Sequence, residues 1–245
     1  MDLQNVWTVA TKDFSIFTKK KSIMCSFILF PLLVSIGLPL VIHFVNVQSG
    51  GIPTAALVLL LNAFAFFFVI FAATLPVAIA SYSLVGEKVE KSLEPLLATP
   101  VTDGEILLGK SLAAFLPSLV ATYGGCAIFM AFIDNLTFSQ LGYLYFPNWT
   151  MGVILLAVTP LVCLLSVEVN VIISARVNDV RTAQQFGGIL FLPFVAIYVA
   201  GEIGLISLET NNLLIISAVL LFVDAILFFV SRSTFRREEI LTKWK

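Results

Sequence analysis

Charge is scarce in this sequence of 245 residues: Asp, Glu, Lys and Arg together make up 12% of it, against roughly 25% in soluble domains. There is one histidine, His43, and there are three cysteines, Cys25, Cys126 and Cys163. A lone imidazole without Cys or carboxylate neighbours in sequence makes a poor metal site, and it leaves histidine-based proton transfer a single candidate. The cysteines lie inside apolar runs, where an odd number argues against a disulfide framework or a zinc site; packing is the role they suit. No His-Glu-x-x-His or Gly-x-Ser-x-Gly motif occurs, so a hydrolase has no motif to stand on. A net charge of −1 gives no argument for nucleic acid as a partner.

What is present in excess is apolar. Hydrophobic residues make up 59% of the chain, and the mean hydropathy is +1.03. Runs of about 20 apolar residues are long enough to cross a bilayer as helices. Six such runs can be read, near Met24–Asn46, Ala55–Ser81, Leu112–Ile133, Met151–Ala175, Phe186–Ala200 and Leu213–Ser231. Lys19–Lys21 before the first resembles the start of a signal peptide. Its apolar core is too long for a cleaved segment and no small-x-small site follows, so a retained anchor is expected.

The basic residues fall into four groups: Lys12 with Lys19–Lys21; Lys88, Lys91 and Lys110; Arg176 and Arg181; and Arg232, Arg236, Arg237, Lys243 and Lys245. These are all 14 Lys and Arg of the chain. They occupy alternate connections, and the other three connections have none. The positive-inside rule then predicts an all-α, polytopic membrane protein with six spans and both termini cytoplasmic. The outer loops, about 47–54, 134–150 and 201–212, are too short for an external domain. Two Asn-x-Thr sequons, at Asn135 and Asn148, are expected in the middle one.

The stretch Gly104–Ser111, GEILLGKS, fits the G-x-x-x-x-G-K-[ST] pattern of a phosphate-binding loop. Such a loop lies between a strand and a helix. Here Thr102 and Glu105 have the spacing of a capping box, which predicts that Gly104 and Gly109 sit in the first turns of a helix. No β-branched strand precedes them. Upstream, Val85, Val89, Leu93 and Leu96 share one helical face, and Glu87 and Lys91 have the favourable i, i+4 order. Span two is therefore expected to run on beyond the membrane until Pro95 and Thr99-Pro100 end it. The chain then turns back at Thr102, making a helical hairpin over residues 82–110. At the N-terminus, Trp7, Ala10, Phe14 and Phe17 predict an interfacial helix within residues 1–22, with Lys12, Asp13 and Ser15 elsewhere around it.

The run GEKVEKSLEPLLATPVTDGEILLGKSLA resembles the signature of ABC-2 type transporter permeases. Glu87, Leu93, Glu94, Leu96, Leu97, Thr99, Pro100, Val101, Glu105, Gly109 and Lys110 stand at matching positions, and Ser92 stands where Thr is commoner. ATKDFSIFTKKKS is similar to that family's elbow helix, and SARVNDVRTAQQFGGILFLP to its connection between spans four and five. The resemblance covers the full length, as one permease domain over 1–245 with a cytoplasmic tail from 232.

The resemblance implies the membrane subunit of an ATP-driven exporter in the cell membrane, paired with a second copy or a paralogue. It has no cofactor of its own; ATP and Mg are bound by a separate ABC ATPase subunit. It also implies that the hairpin docks on that ATPase, through Glu87, Lys88, Glu90, Lys91, Glu94, Leu96, Leu97, Thr99 and Pro100.

Two carboxylates lie within spans, Glu168 and Asp224. A charged group on a lipid-facing helix surface costs about 2.5 kcal/mol or more, so both are expected to face protein or water, with Asn170 and Asn62 as companions. They are candidates for a substrate path or for interhelical hydrogen bonds. A self-sufficient secondary carrier that uses Glu168 and Asp224 for ions is the alternative. Such carriers often carry inverted repeats, and no counterpart of the charged hairpin follows span five.

Overall fold

Thr102 is the clearest local instruction in the chain. Its side chain accepts a hydrogen bond from the Glu105 amide, and the Glu105 carboxylate accepts one from the Thr102 amide, closing the expected capping box. From there a helix of 39 residues runs from Asp103 to Leu141, and Gly142 stops it in the left-handed conformation at φ 76°. The computed structural model describes residues 2–19, 21–48, 50–89, 99 and 101–234. All elements among them are helical: α1 (Leu3–Lys19), α2 (Lys21–Gln48), α3 (Thr54–Val89), α4 (Asp103–Leu141), α5 (Trp149–Val153), a π-helical turn (Ile154–Val158), α6 (Thr159–Arg176), α7 (Val180–Gly188), α8 (Phe191–Glu202) and α9 (Thr210–Thr234).

Six segments are long and apolar enough to cross a membrane: Phe27–Gln48, Thr54–Glu87, Asp103–Leu141, Trp149–Arg176, Val180–Gly201 and Thr210–Ser231. They follow the six predicted runs. α3 is the central helix, packed by α4, α6, α7 and α8. It is apolar all round, as a helix buried on every side must be, and Leu57, Leu61, Phe66, Phe68 and Phe71 are fully enclosed. α2 and α9 lie at the periphery and leave large apolar side chains such as Phe44 and Phe222 exposed, which suits helices facing lipid.

Several boundaries differ from expectation. The third span continues about two turns beyond Ile133, so the Asn135 sequon is helical, and Thr137 donates to the Ile133 carbonyl. Asn148 caps α5 by accepting from the Met151 amide. Neither sequon is the free loop that the sequence suggested. Span four widens into its π turn just before Pro160, which has no amide proton to give. The carbonyl of Leu155 there accepts from the Tyr123 hydroxyl of α4 at 2.7 Å. Span five is two helices, α7 and α8, parted by a turn at Ile189–Leu190. Gly187 permits the break's close approach, since a Cβ there overlaps the Asn170 amide of α6. Pro193, in the first turn of α8, needs no amide partner.

The end of the bundle away from the basic residues is tied by a closed ring. Asn46 donates to Gln140, Gln140 donates to the Ile52 carbonyl, and the Ile52 amide donates back to Asn46, over 2.7–2.9 Å. This joins the α2–α3 connection to the last turn of α4.

Candidate functional site

At the opposite end, α1 lies across the start of α4 and the end of α3. Its buried face is Val6, Val9, Ala10, Asp13 and Phe17. This corrects the expected stripe: Trp7 and Phe14 are exposed, while Asp13, expected elsewhere around the helix, is 2% exposed in the middle of the apolar face. A carboxylate among Val, Ala and Phe at helical spacing calls for a buried cation. That cation is Lys110.

The Lys110 ammonium is 2.8 Å from Glu87 Oε2 of α3 and 3.2 Å from Asp13 Oδ2 of α1, and it donates to the Ser83 carbonyl at 2.9 Å. Ser83 Oγ donates to Asp13 Oδ2 at 2.7 Å. Lys12, half exposed, reaches the other Glu87 oxygen at 2.7 Å. Two ammonium groups and two carboxylates thus balance, and three helices meet in one clasp. Lys110 is 1% exposed. With Lys110 hydrogen-bonded to Asp13 and Ser83 and ion-paired with Glu87, and its segment helical, GEILLGKS is not a phosphate-binding loop.

The neighbouring motif residues serve the same contact. A Cβ on Gly109 meets Val9 Cβ at 2.7 Å and the Val6 carbonyl at 2.8 Å, so only glycine lets α1 lie this close. Glu105, besides closing its own cap, accepts from the Asp2 amide at 2.6 Å and from Asn5 at 3.4 Å. Glu105, Gly109 and Lys110, at i, i+4 and i+5, therefore hold α1 from Asp2 to Asp13.

This arrangement explains in geometric terms four of the residues that carry the resemblance, Glu87, Glu105, Gly109 and Lys110. The profile described as ABC-2 family transporter protein matches residues 7–240. The chain belongs to the ABC-2 family. This ABC-2 protein is accordingly a multi-pass membrane permease, a transport subunit of a family that works with an ABC ATPase. No curated protein matches its sequence.

Of the expected ATPase-facing residues in this ABC-2 permease, Glu87 is buried and turned inward to the clasp. Thr99 is half-buried at a bend. Glu90, Lys91, Glu94, Leu96, Leu97 and Pro100, and the side chain of Lys88, lie outside the described residues. Lys12, Asp13 and Ser83 joined the site unannounced. Asp13 alone had left a sequence signal, as the acid on an apolar helix face.

The four candidates for a substrate path do not form one cluster. Glu168 and Asp224 are 4% and 3% exposed, on the packed pair of helices α6 and α9. Among the described residues, Glu168 Oε2 and both oxygens of Asp224 have no hydrogen-bond partner. Asn170, two residues from Glu168, lies on the other side of α6. There it accepts from Ser81 of α3 and donates to the Ser166 carbonyl. Asn62 belongs to the far end, where it accepts from the Tyr145 hydroxyl at 2.8 Å. It borders a cavity of about 340 Å³ together with Ser207 and Glu209. His43 is exposed near the end of α2, and no group of three metal-ligating side chains occurs among the described residues. Cys25, Cys126 and Cys163 are free thiols.

Proposed function

We propose that this permease is the membrane subunit of an ATP-driven exporter, working as a dimer with a separate ATPase that binds ATP and Mg. Both termini and the 82–110 hairpin face the cytoplasm in this reading, which rests on the segregation of Lys and Arg. The observation that carries it is the clasp of Lys110, Asp13, Glu87 and Lys12. A force on the hairpin reaches α3 and α4 through the chain itself. The clasp passes it to α1, together with the contacts of Glu105 and Gly109 on the same helix. Glu87 acts here as a transmitter, and Glu90, Lys91, Glu94, Leu96 and Leu97 supply the docking surface.

Glu168 and Asp224 line the path of the exported compound. Buried carboxylates without partners are costly, and a cationic or proton-donating cargo relieves that cost. The same observation favours a second reading, ion-driven transport without an ATPase. Proteoliposomes separate the two. The exporter reading expects transport only with the ATPase and ATP present, and none on a proton or sodium gradient alone. Gradient-driven uptake by the permease by itself overturns it.

A further inference from the structure

One large concavity has no part in the clasp or the carboxylate pair. It is a groove of about 580 Å³ with α1 across its top and α2 and α4 as walls. Trp7 and Phe14 form the α1 side, Met24 and Ile28 belong to α2, and α4 contributes from Leu112 to Ile128. The 17 residues from Leu112 to Ile128 extend about 24 Å along α4. Spread over that length and widened by a water radius on each side, the volume corresponds to a channel about 8 Å across, narrower than the 10–12 Å width of a helix with its side chains. The groove admits a single hydrocarbon chain and not a helix of a second copy. One leaflet of a bilayer core is about 15 Å deep, so a whole acyl chain fits along it.

The lining chemistry agrees. Thr11 is the one hydroxyl in the wall among the described residues, and it donates to the Trp7 and Thr8 carbonyls of its own helix. No charged side chain lines the groove among the described residues. Cations stand at its mouth. Lys19 and Lys21 are exposed at the α1–α2 junction, and Lys21 lies one turn before Met24 and two before Ile28 on the same face of α2. Lys12 is committed to Glu87 and Asp13 is turned away into the clasp. Among the described residues, the unpaired charge at this mouth is positive, and it complements a phosphate.

We propose that the groove between α1, α2 and α4 binds one acyl chain of an anionic phospholipid, with the lipid phosphate held at Lys19 and Lys21. The bound lipid fills the space under the exposed side of α1 and so supports the helix that the clasp holds from the other side. The proposal is independent of how transport is powered.

Trp7 lies in the lining, so its fluorescence reports occupancy. The full chain, carrying Trp149→Phe and Trp244→Phe, is placed in phosphatidylcholine nanodiscs with graded amounts of phosphatidylglycerol or phosphatidylcholine brominated on the acyl chain. Trp7 should be quenched at least fivefold more effectively, per mole fraction, by the brominated phosphatidylglycerol. Lys19→Gln with Lys21→Gln, at exposed positions, should bring the two lipids level. Gly124→Phe, whose Cβ enters open space, should remove the preference by filling the groove. Equal quenching by both lipids in the parent protein overturns the proposal, as does a preference that survives the double lysine change. So does high-yield disulfide dimerisation of Gly124→Cys, which places a second copy in the groove.

Discussion

Replacing Lys110 by Met tests the clasp most severely. At 2.8 Å from Glu87 and 3.2 Å from Asp13, the ammonium gains about 6 and about 5 kcal/mol of Coulomb energy at an effective dielectric constant of about 20. Burying it costs several kcal/mol in return, so the intact clasp contributes much less than that sum. The substitution removes the attraction and leaves two enclosed carboxylates, of which Glu87 keeps Lys12 and Asp13 keeps only Ser83. Breaking a buried pair from one side typically costs about 3–5 kcal/mol, and that is the loss expected. Most of it falls on Asp13, so Asp13→Asn in the Lys110→Met background should restore a large part. The assay is thermal unfolding of the purified permease, with hydrogen exchange read at the amides of α1. If Lys110→Met melts like the parent and α1 keeps its protection, the clasp does not hold the elbow helix.

Gly109→Ala places a methyl against Val9 and the Val6 carbonyl; a loss of about 1–3 kcal/mol is expected, visible as proteolysis near the N-terminus before the rest of the chain is cut. Glu168→Gln and Asp224→Asn each remove a buried charge, so thermal stability should hold or rise while ATP-driven transport falls on the order of tenfold; full transport at equal expression excludes a required charge. Glu94→Lys, or Leu96→Ala with Leu97→Ala, should release the ATPase on co-purification without altering membrane insertion, and unchanged co-purification removes the hairpin as the docking surface. The Asp179 carboxylate caps α7 and is held below the usual carboxylate range by the Thr182 amide and hydroxyl. Its capping contribution is therefore present above that range and lost as pH falls through the depressed value. Protection of the Thr182 and Ala183 amides, relative to the intrinsic exchange rate at the same pH, should fall at acid pH in the parent and show no such step in Asp179→Asn, whose amide oxygen caps without titrating.

Span number was legible because hydrophobic length is a strong signal in a bilayer, and the Thr102–Glu105 cap because both halves of the motif are local. The break in span five was only half legible. Gly187, Gly188 and Pro193 announced a weak point, but the need for glycine at 187 comes from Asn170 on another helix. The extra length of α4 was missed because Asp134 and the polar run after it read as a loop. Asp134 in fact accepts from the Tyr145 and Phe146 amides, which ties the following chain back to the helix. In the clasp, the matched signature residues marked the α4 side through Glu105, Gly109 and Lys110. Their partners Asp13 and Ser83 lie 97 and 27 residues away from Lys110, a pairing that spacing along the chain does not encode. The separation of Asn62 from Glu168 follows from how α3 is placed against α6, which apolar runs leave open.

The ring of Asn46, Gln140 and Ile52 gives the bundle a second fixed point. Helices pinned together at both ends, as α3 and α4 are, can tilt as a pair but cannot slide along one another. The fifth span is built differently: a jointed strut, two short rods meeting at Ile189–Leu190, with its lower rod resting on Asn170. A stroke that reshapes this bundle while sparing its two fastenings has its natural elbow there.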